Sequence, residues 1–519
     1  MFASYISQLQ QHAPIIVVLT PLLAGPLCML FGNRSFAYLV SVVAATIAFF
    51  ASVFLLFVVL DGSVVSYHIG GWAPPLGIEY RVDAANAFVL VIVAVISLVV
   101  LPYARTSIAK EIEEHHHTLF YACYMLCFTG LMGVTITGDA FNVFVFLEIS
   151  SLSTYVLVAL GASKDKRALS AAYDYLILGT IGATFFVIGL GLIYMATGTL
   201  NMVDLSERLA NLEDSRTVRS AFAFIVIGMG LKLAIYPLHR WLPGAYTYAP
   251  SAVSAFLAST ATKVAIYVVL RFMFSVYSAK FGFAQDTLEF IILPFGIIAM
   301  FAASIIAVYQ VNVKRLLAYS SIAQIGYMLL GISFLSVTGL SATIVHLFNH
   351  AITKGALFLA VGAIIYRTGS PLLPNMAGLG RKMPWTSAAI VVGGLSLIGI
   401  PGTAGFVSKW VLMSAAFEKG WWPVAFLIVA SSLIAVVYVW RVVETLYLTP
   451  AKSGVTITEA PLSLLIPTWI LVLASIWFGI DADFTVGASR TAAEALLNGA
   501  FAGTADGGGV TIFGLEGRK

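Results

Sequence analysis

The chain is a succession of apolar runs, each long enough to cross a lipid bilayer, with short polar interruptions between them. A helix spanning about 30 Å of hydrocarbon takes roughly 20 mostly apolar residues. Runs of that kind fall near 14–31, 36–60, 83–103, 118–137, 139–160, 170–197 and 218–238. They continue near 250–274, 288–309, 315–335, 338–366, 385–413, 421–447 and 461–480. These fourteen segments predict an all-α polytopic membrane protein, because lipid offers no water to satisfy backbone groups left outside a helix or closed barrel. Composition excludes the soluble alternative: of 519 residues 60% are hydrophobic and 10% charged, against about 25% charged in soluble domains.

Lys and Arg in short loops set the orientation. Loops after odd-numbered spans hold Arg34, Arg105, Lys110, Lys164, Lys166, Arg167, Arg240, Lys314, Arg315, Arg367, Arg381, Lys382, Arg441 and Lys452, fourteen bases. Loops after even-numbered spans hold seven, Arg81, Arg208, Arg216, Arg219, Arg271, Lys280 and Lys419. This bias places the odd loops in the cytoplasm and both termini on the outer face. The net charge of +4 is spread over these loops and makes no nucleic-acid face. Asn33-Arg34-Ser35 matches a glycosylation sequon but falls on the cytoplasmic side, hard against the membrane. The first span has no basic leader or small-residue cleavage site and is expected to remain as an anchor.

Cofactor chemistry finds no support in the motifs. The chain has no Gly-Lys dipeptide and no Gly-x-Gly-x-x-Gly run, so neither a P-loop nor a dinucleotide fingerprint is present. Cys28, Cys123 and Cys127 lie in apolar context and read as packing residues. No cofactor and no metal is expected; His115, His116 and His117 lie in a charged loop and are expected to be solvated. The tail beyond about Asp481 suggests a short interfacial helix, Ser489 to Leu497, and then a disordered Gly-rich end.

Four bases belong to no loop or tail: Lys232, Lys263, Lys354 and Lys409 lie within the spans. Among the acids only Glu148 sits mid-span, while Asp139 and Asp174 lie near span entrances, where capping or solvation suffices. Each central charge opposes insertion by about 2.5–3.5 kcal/mol. Lysines near helix ends can snorkel, which fits Lys354 better than Lys232 or Lys263. As a group the five point to function.

Two of the lysines stand beside interrupted spans. Pro237 follows Lys232 by little more than a turn, and Pro401, Gly402 and Gly405 precede Lys409. Proline removes a backbone donor, and broken helices at corresponding positions of two halves mark transporter sites. The interrupted spans are the seventh and twelfth. Their spacing implies two five-helix repeats, spans 4–8 and 9–13, inverted because each holds an odd number of helices. The expected division is 1–117, 118–275, 287–447 and 448–519. On the eleventh span His346, His350 and Lys354 recur every four residues, along about 12 Å of one helix face. Such a row suits a proton relay, since histidine titrates near neutrality. Packing histidines, or a zinc pair lacking a third ligand, are the alternatives.

At these residues the chain resembles a known family. Phe144-Val-Phe-Leu-Glu148-Ile-Ser-Ser-Leu is similar to the helix-5 motif of the antiporter-like subunits of respiratory complex I and Mrp-type cation/proton antiporters. Lys232 to Pro237-Leu-His239-Arg-Trp-Leu-Pro243, then Ala249-Pro250-Ser and Thr262-Lys263, resembles its helix 7–8 signature. His350-Ala-Ile-Thr-Lys354 and Pro401-Gly-Thr-Ala-Gly405-Phe-Val-Ser-Lys409 resemble its helix 11 and 12 motifs. The segment from Gly71 to Asp83 looks most like the Mrp D-type subunit.

The resemblance implies fourteen helices with inverted repeats and a polar axis through Glu148, Lys232, Lys263, His350 with Lys354, and Lys409; His346 joins the expected row by its spacing, and His239 is expected in support. It implies a proton-translocating subunit of a multisubunit Na⁺ or K⁺/H⁺ antiporter, a transporter rather than an enzyme, working with other membrane subunits in a bacterial or archaeal cytoplasmic membrane. The alternative is a proton-pumping subunit of a redox-driven complex, NADH-quinone oxidoreductase or membrane-bound hydrogenase, with the redox chemistry in partner chains. In the expected cycle Glu148 and Lys232 pair and part, the proton passes towards Lys263 and the histidine face, and Lys409 gates the opposite side.

Overall fold

The structure, a computed structural model, describes residues 2–278, 281–451 and 457–497, with side chains from residue 10 onward. Lys280, Lys452, Arg518, Lys519 and the Gly-rich end lie outside the described residues.

The helices follow the apolar runs. The first part comprises α1 (Phe2–Leu30), α2 (Arg34–Val59), a two-stranded antiparallel hairpin of β1 (Val65–His68) and β2 (Glu79–Val82), α3 (Ala84–Glu111), α4 (His117–Ile136), α5 (Ala140–Ala159) and α6 (Arg167–Thr197). A short α7 (Met202–Leu209) precedes α8 (Arg216–Leu233), α9 (Trp241–Tyr248) and α10 (Ser251–Leu270), the last prolonged by a π-helical turn, Arg271–Val276. Then come α11 (Gly282–Thr287), α12 (Leu293–Val308), α13 (Val313–Ser333), α14 (Val337–Thr368), α15 (Leu379–Lys382), α16 (Pro384–Ile398), α17 (Ala404–Glu418), α18 (Trp422–Tyr447), α19 (Leu462–Ile480) and α20 (Asp483–Leu497).

Among the described residues twelve helices are long and apolar enough to cross a bilayer. The remaining two expected spans are each split, as α8/α9 and α16/α17. Large apolar side chains such as Phe50, Phe57, Phe426, Leu433 and Trp440 are exposed, as expected where the surroundings are hydrocarbon. At the centre, α14 packs against α3, α10, α13, α16, α17, α19 and α20, which explains why its histidines and lysine are buried.

Polar residues at the run ends cap the helices. The Asn33 side chain accepts from the Ser35 and Phe36 amides at the start of α2, so the sequon asparagine is a helix cap. Asp139 accepts from the Asn142 amide at 2.7 Å and opens α5. Two turns are built alike. At α6 the helix ends on Gly198 with φ 72°, and at α14 on Gly369 with φ 73°, both in the left-handed conformation that favours glycine. In each, the preceding threonine, Thr197 or Thr368, donates to a carbonyl two residues on. Each turn then bonds to the start of an earlier helix, Ala140 N to Leu200 O for α5 and Val313 N to Pro371 O for α13.

Four expectations need correction. Arg271, read as a loop base, is buried within the π-helical turn and paired with Asp83. Lys314, also read as a loop base, is buried in the first turn of α13 and donates to the Ala249 carbonyl. His117 is buried, with Nε2 3.2 Å from the Ile112 carbonyl, unlike exposed His115. The tail helix begins at Asp483 rather than Ser489 and is no freely interfacial element. Its small residues Thr485, Ala488, Ser489, Ala492 and Ala493 are buried as it packs against α3 and α14.

Candidate functional site: a buried row of lysines and histidines

The row starts where α8 breaks. Ala234 takes a left-handed φ of 62° and stops the helix, and Pro237 stands in the linker to α9. The indole of Trp241 at the start of α9 donates to the Leu231 carbonyl at 2.8 Å, serving the broken end. Lys232, in the last turn before the break, is buried, and its Nζ donates to Glu148 Oε1 on α5 at 3.2 Å and to Ser151 Oγ at 2.6 Å. Glu148 and Ser151 are three residues apart and so share a helix face. The carboxylate is the more accessible partner, its side chain 25% exposed against 6% for the lysine.

Lys263 is fully buried on α10 and bonds locally, to the Ala258 carbonyl one turn back and to Thr262 Oγ1. The ammonium is therefore hydrogen-bonded, with no carboxylate paired to it among the described residues. On α14 the His346 and His350 rings stack with centroids 6.0 Å apart and planes 7° apart. His346 Nδ1 lies 2.8 Å from Ser408 Oγ. His346 Nε2 and both nitrogens of His350 are buried without a partner among the described residues, although buried polar atoms are nearly always paired, often through ordered water. Lys354 donates to Leu317 O at 2.8 Å and to Ser320 Oγ at 2.5 Å on α13.

The far end lies at the second break. Gly399 and Gly402 take positive φ of 92° and 85° between α16 and α17, flanking Pro401. Lys409, on α17, reaches back to the Leu397 and Ile398 carbonyls at 3.2 and 2.8 Å and to Ser432 Oγ at 2.9 Å. A cation thus meets the negative end of the α16 dipole. Its Nζ also stands 4.8 Å from the centre of the Tyr327 ring, a cation–π distance. Asn349 on α14 donates to the Ala404 carbonyl at 2.6 Å and ties the central helix to the start of α17.

His239 stands apart from these bonds. It stacks on Tyr236 and, with Asp174, Arg240, Arg315 and Tyr319, lines a cavity of about 330 Å³. A larger cavity of about 630 Å³ lies over the start of α10, lined by Lys110, Glu111, Arg167, Lys314 and Arg367 among others. There the Glu111 carboxylate accepts from the Ser251 amide at 2.6 Å.

Residues 137–435 match the family model described as NADH:quinone oxidoreductase/Mrp antiporter, TM. The chain belongs to that family. It is 38% identical over 485 residues to the N-type subunit of the NADH-quinone oxidoreductase of Desulforudis audaxviator, covering 90% of this chain and 96% of that protein. It is 31% identical over 404 residues to the D-type subunit of the Na(+)/H(+) antiporter of Alkalihalophilus pseudofirmus, covering 78% and 80%. Among solved structures, a chain of the Mrp complex from Dietzia sp. superposes with a TM-score of 0.85 at 26% identity, covering 95% of this chain and 99% of that one. The protein is thus a multi-pass membrane subunit of the Mrp and complex I type.

Of the residues singled out in the sequence of this family member, Glu148 and Lys232 touch, His346 and His350 stack, and Lys263, Lys354 and Lys409 hold separate polar partners. The sequence reading missed the hydroxyls that receive the lysines. Ser151 carried a signal, its i+3 spacing from Glu148; Ser320 and Ser432 carried none, because their partners come from distant helices.

Proposed function

We propose that the chain is the proton-translocating subunit of a multisubunit monovalent cation/proton antiporter, and that it moves protons rather than catalysing a chemical conversion. The observation that carries the reading is the ion pair of buried Lys232 with half-buried Glu148 at a broken helix. A buried ion pair is held only while its partners stay together. Its opening changes the proton affinity of Lys232, and a unit of that change is about 1.4 kcal/mol. A proton leaving Lys232 passes to Lys263 and the His346/His350 stack, with Lys354 beside it. Lys409, anchored on the broken end of α16, governs the opposite side. Pro237, Pro401, Gly402 and Gly405 supply the irregular backbone, and His239 supports the first break.

The likeness to the D-type antiporter protein and to the Mrp complex chain supports partners in the form of other membrane subunits and Na⁺ as an exchanged ion. The matched turns at Gly198 and Gly369 support a division into repeats at 118–275 and 287–447, flanked by 1–117 and 448–519. The bacterial relatives support a bacterial or archaeal cytoplasmic membrane, and the loop bias supports an orientation with both termini outside. It stands at thirteen bases against six when buried Lys314 and Arg271 are set aside.

A second reading, a proton-pumping subunit of a redox-driven complex, is favoured by the 38% identity to an NADH-quinone oxidoreductase subunit. Everted vesicles containing the whole complex separate the two. An imposed pH gradient collapsed by Na⁺ or K⁺ supports exchange; proton uptake that needs an electron donor and is indifferent to both cations overturns it in favour of the second.

A further inference from the structure

The turn between α3 and α4 gathers metal-ligating side chains outside the buried row. Glu113, His115 and His116 offer three donor atoms that all lie within 4.8 Å of one another. His115 Nε2 is already 3.6 Å from Glu113 Oε2, and the two imidazoles stand 3.8 Å apart between centroids. Tetrahedral zinc with bonds of about 2.0–2.2 Å holds its donors roughly 3.3–3.6 Å apart, so small side-chain rotations close the set.

The backbone that carries these groups is fixed. The His116 amide donates to the Glu113 carbonyl at 3.0 Å, and buried Ile112 and His117 anchor the turn on either side. His117 takes no part, since it is buried against the Ile112 carbonyl. His116 Nδ1 is out of contact with solvent and has no hydrogen-bond partner among the described residues, which leaves an imidazole nitrogen with coordination capacity. Charge also favours a dication. Arg34, 3.8 Å from Glu114, offsets that carboxylate, while Glu113 faces the His115 imidazole and brings the negative charge to the set.

We infer that Glu113, His115 and His116 form a binding site for a divalent transition metal of the zinc class. Two imidazoles and one carboxylate select zinc over magnesium or calcium, which prefer all-oxygen cages. The fourth position is left for water. A bound ion ties the α3–α4 turn two residues from Glu111, whose carboxylate holds the start of the helix bearing Lys263. The site stands independently of the transport reading.

The test is zinc titration of the full chain purified in detergent, read by calorimetry and by the visible absorption of cobalt in zinc's place. Expected is one saturable site per chain, unaffected by excess magnesium. It should weaken at least tenfold in the double variant His115→Ala, His116→Ala, and comparably in Glu113→Gln, which preserves the turn should the double variant misfold. Absence of a saturable site in the unaltered chain overturns the assignment, as does an isotherm unchanged by either variant.

Discussion

Arg271 and Asp83, 188 residues apart in the chain, form a two-pronged ion pair, with Nη1 and Nη2 each 2.8 Å from a carboxylate oxygen and both side chains buried. Asp83 also caps α3, accepting from the Asn86 amide, so the pair clamps the hairpin end of α3 to the π-helical turn beyond α10. Removing one member strands a buried charge at a cost of about 3–5 kcal/mol, whereas replacing both with apolar groups is often neutral. Asp83→Ala and Arg271→Ala are each expected to lower the thermal midpoint of the purified chain and its level in the membrane. The double variant Asp83→Leu, Arg271→Met should recover most of both. Thermal unfolding followed by tryptophan fluorescence measures this, and a double variant as unstable as the singles would contradict the clamp.

The Glu148–Lys232 pair should behave differently, because its disruption is a matter of transport before stability. Glu148 is partly accessible and can be solvated, and Lys232 retains its bond to Ser151 when the carboxylate is gone. Glu148→Ala and Lys232→Ala are therefore expected to insert and assemble yet abolish cation/proton exchange in everted vesicles. Normal exchange by either assembled variant would remove the pair from the proton path.

Sequence reasoning reached the spans, the breaks and every buried lysine of the row, because a charge inside an apolar run is conspicuous. It misplaced Arg271 and Lys314 because both lie at the ends of apolar runs, where a solvated loop and a buried helix turn look alike. What decides between them is a partner far away in sequence, Asp83 for Arg271 and the Ala249 carbonyl for Lys314. The tail helix was mistaken for an interfacial one for a related reason. Its alanines and serines are weakly apolar, and only the nearness of α3 and α14 turns small size into burial.

Lys409 contributes to the second break as well as to the proposed path. With Lys409→Met the Leu397 and Ile398 carbonyls and the Ser432 hydroxyl lose a donor, and an unsatisfied buried acceptor costs about 1–3 kcal/mol. A lowered thermal midpoint together with lost exchange is the expected pairing. Full stability with exchange lost would confine Lys409 to proton transfer. Stability lost with exchange intact would confine it to holding α16.

Gly402 and Gly405 at that break are there for different reasons, and substitution should separate them. At Gly402 the backbone has φ 85° with nothing within 4 Å of an added Cβ, so alanine meets conformational strain alone, about 1–2 kcal/mol. At Gly405 an added Cβ would lie 1.8 Å from the Ser396 carbonyl oxygen of α16. Neither backbone can yield without separating α16 from α17. Ser396 moreover donates or accepts across to Gly405, Thr353 and Ser475, so the shift would spread to α14 and α19. Gly402→Ala is expected to lower the thermal midpoint modestly and keep exchange. Gly405→Ala should abolish exchange and, by moving Lys409 relative to the α16 carbonyls, do so even where the chain still assembles. Measuring exchange per assembled complex for both variants tests this, and equal losses would mean that the break needs flexibility rather than the close approach of the two half-helices.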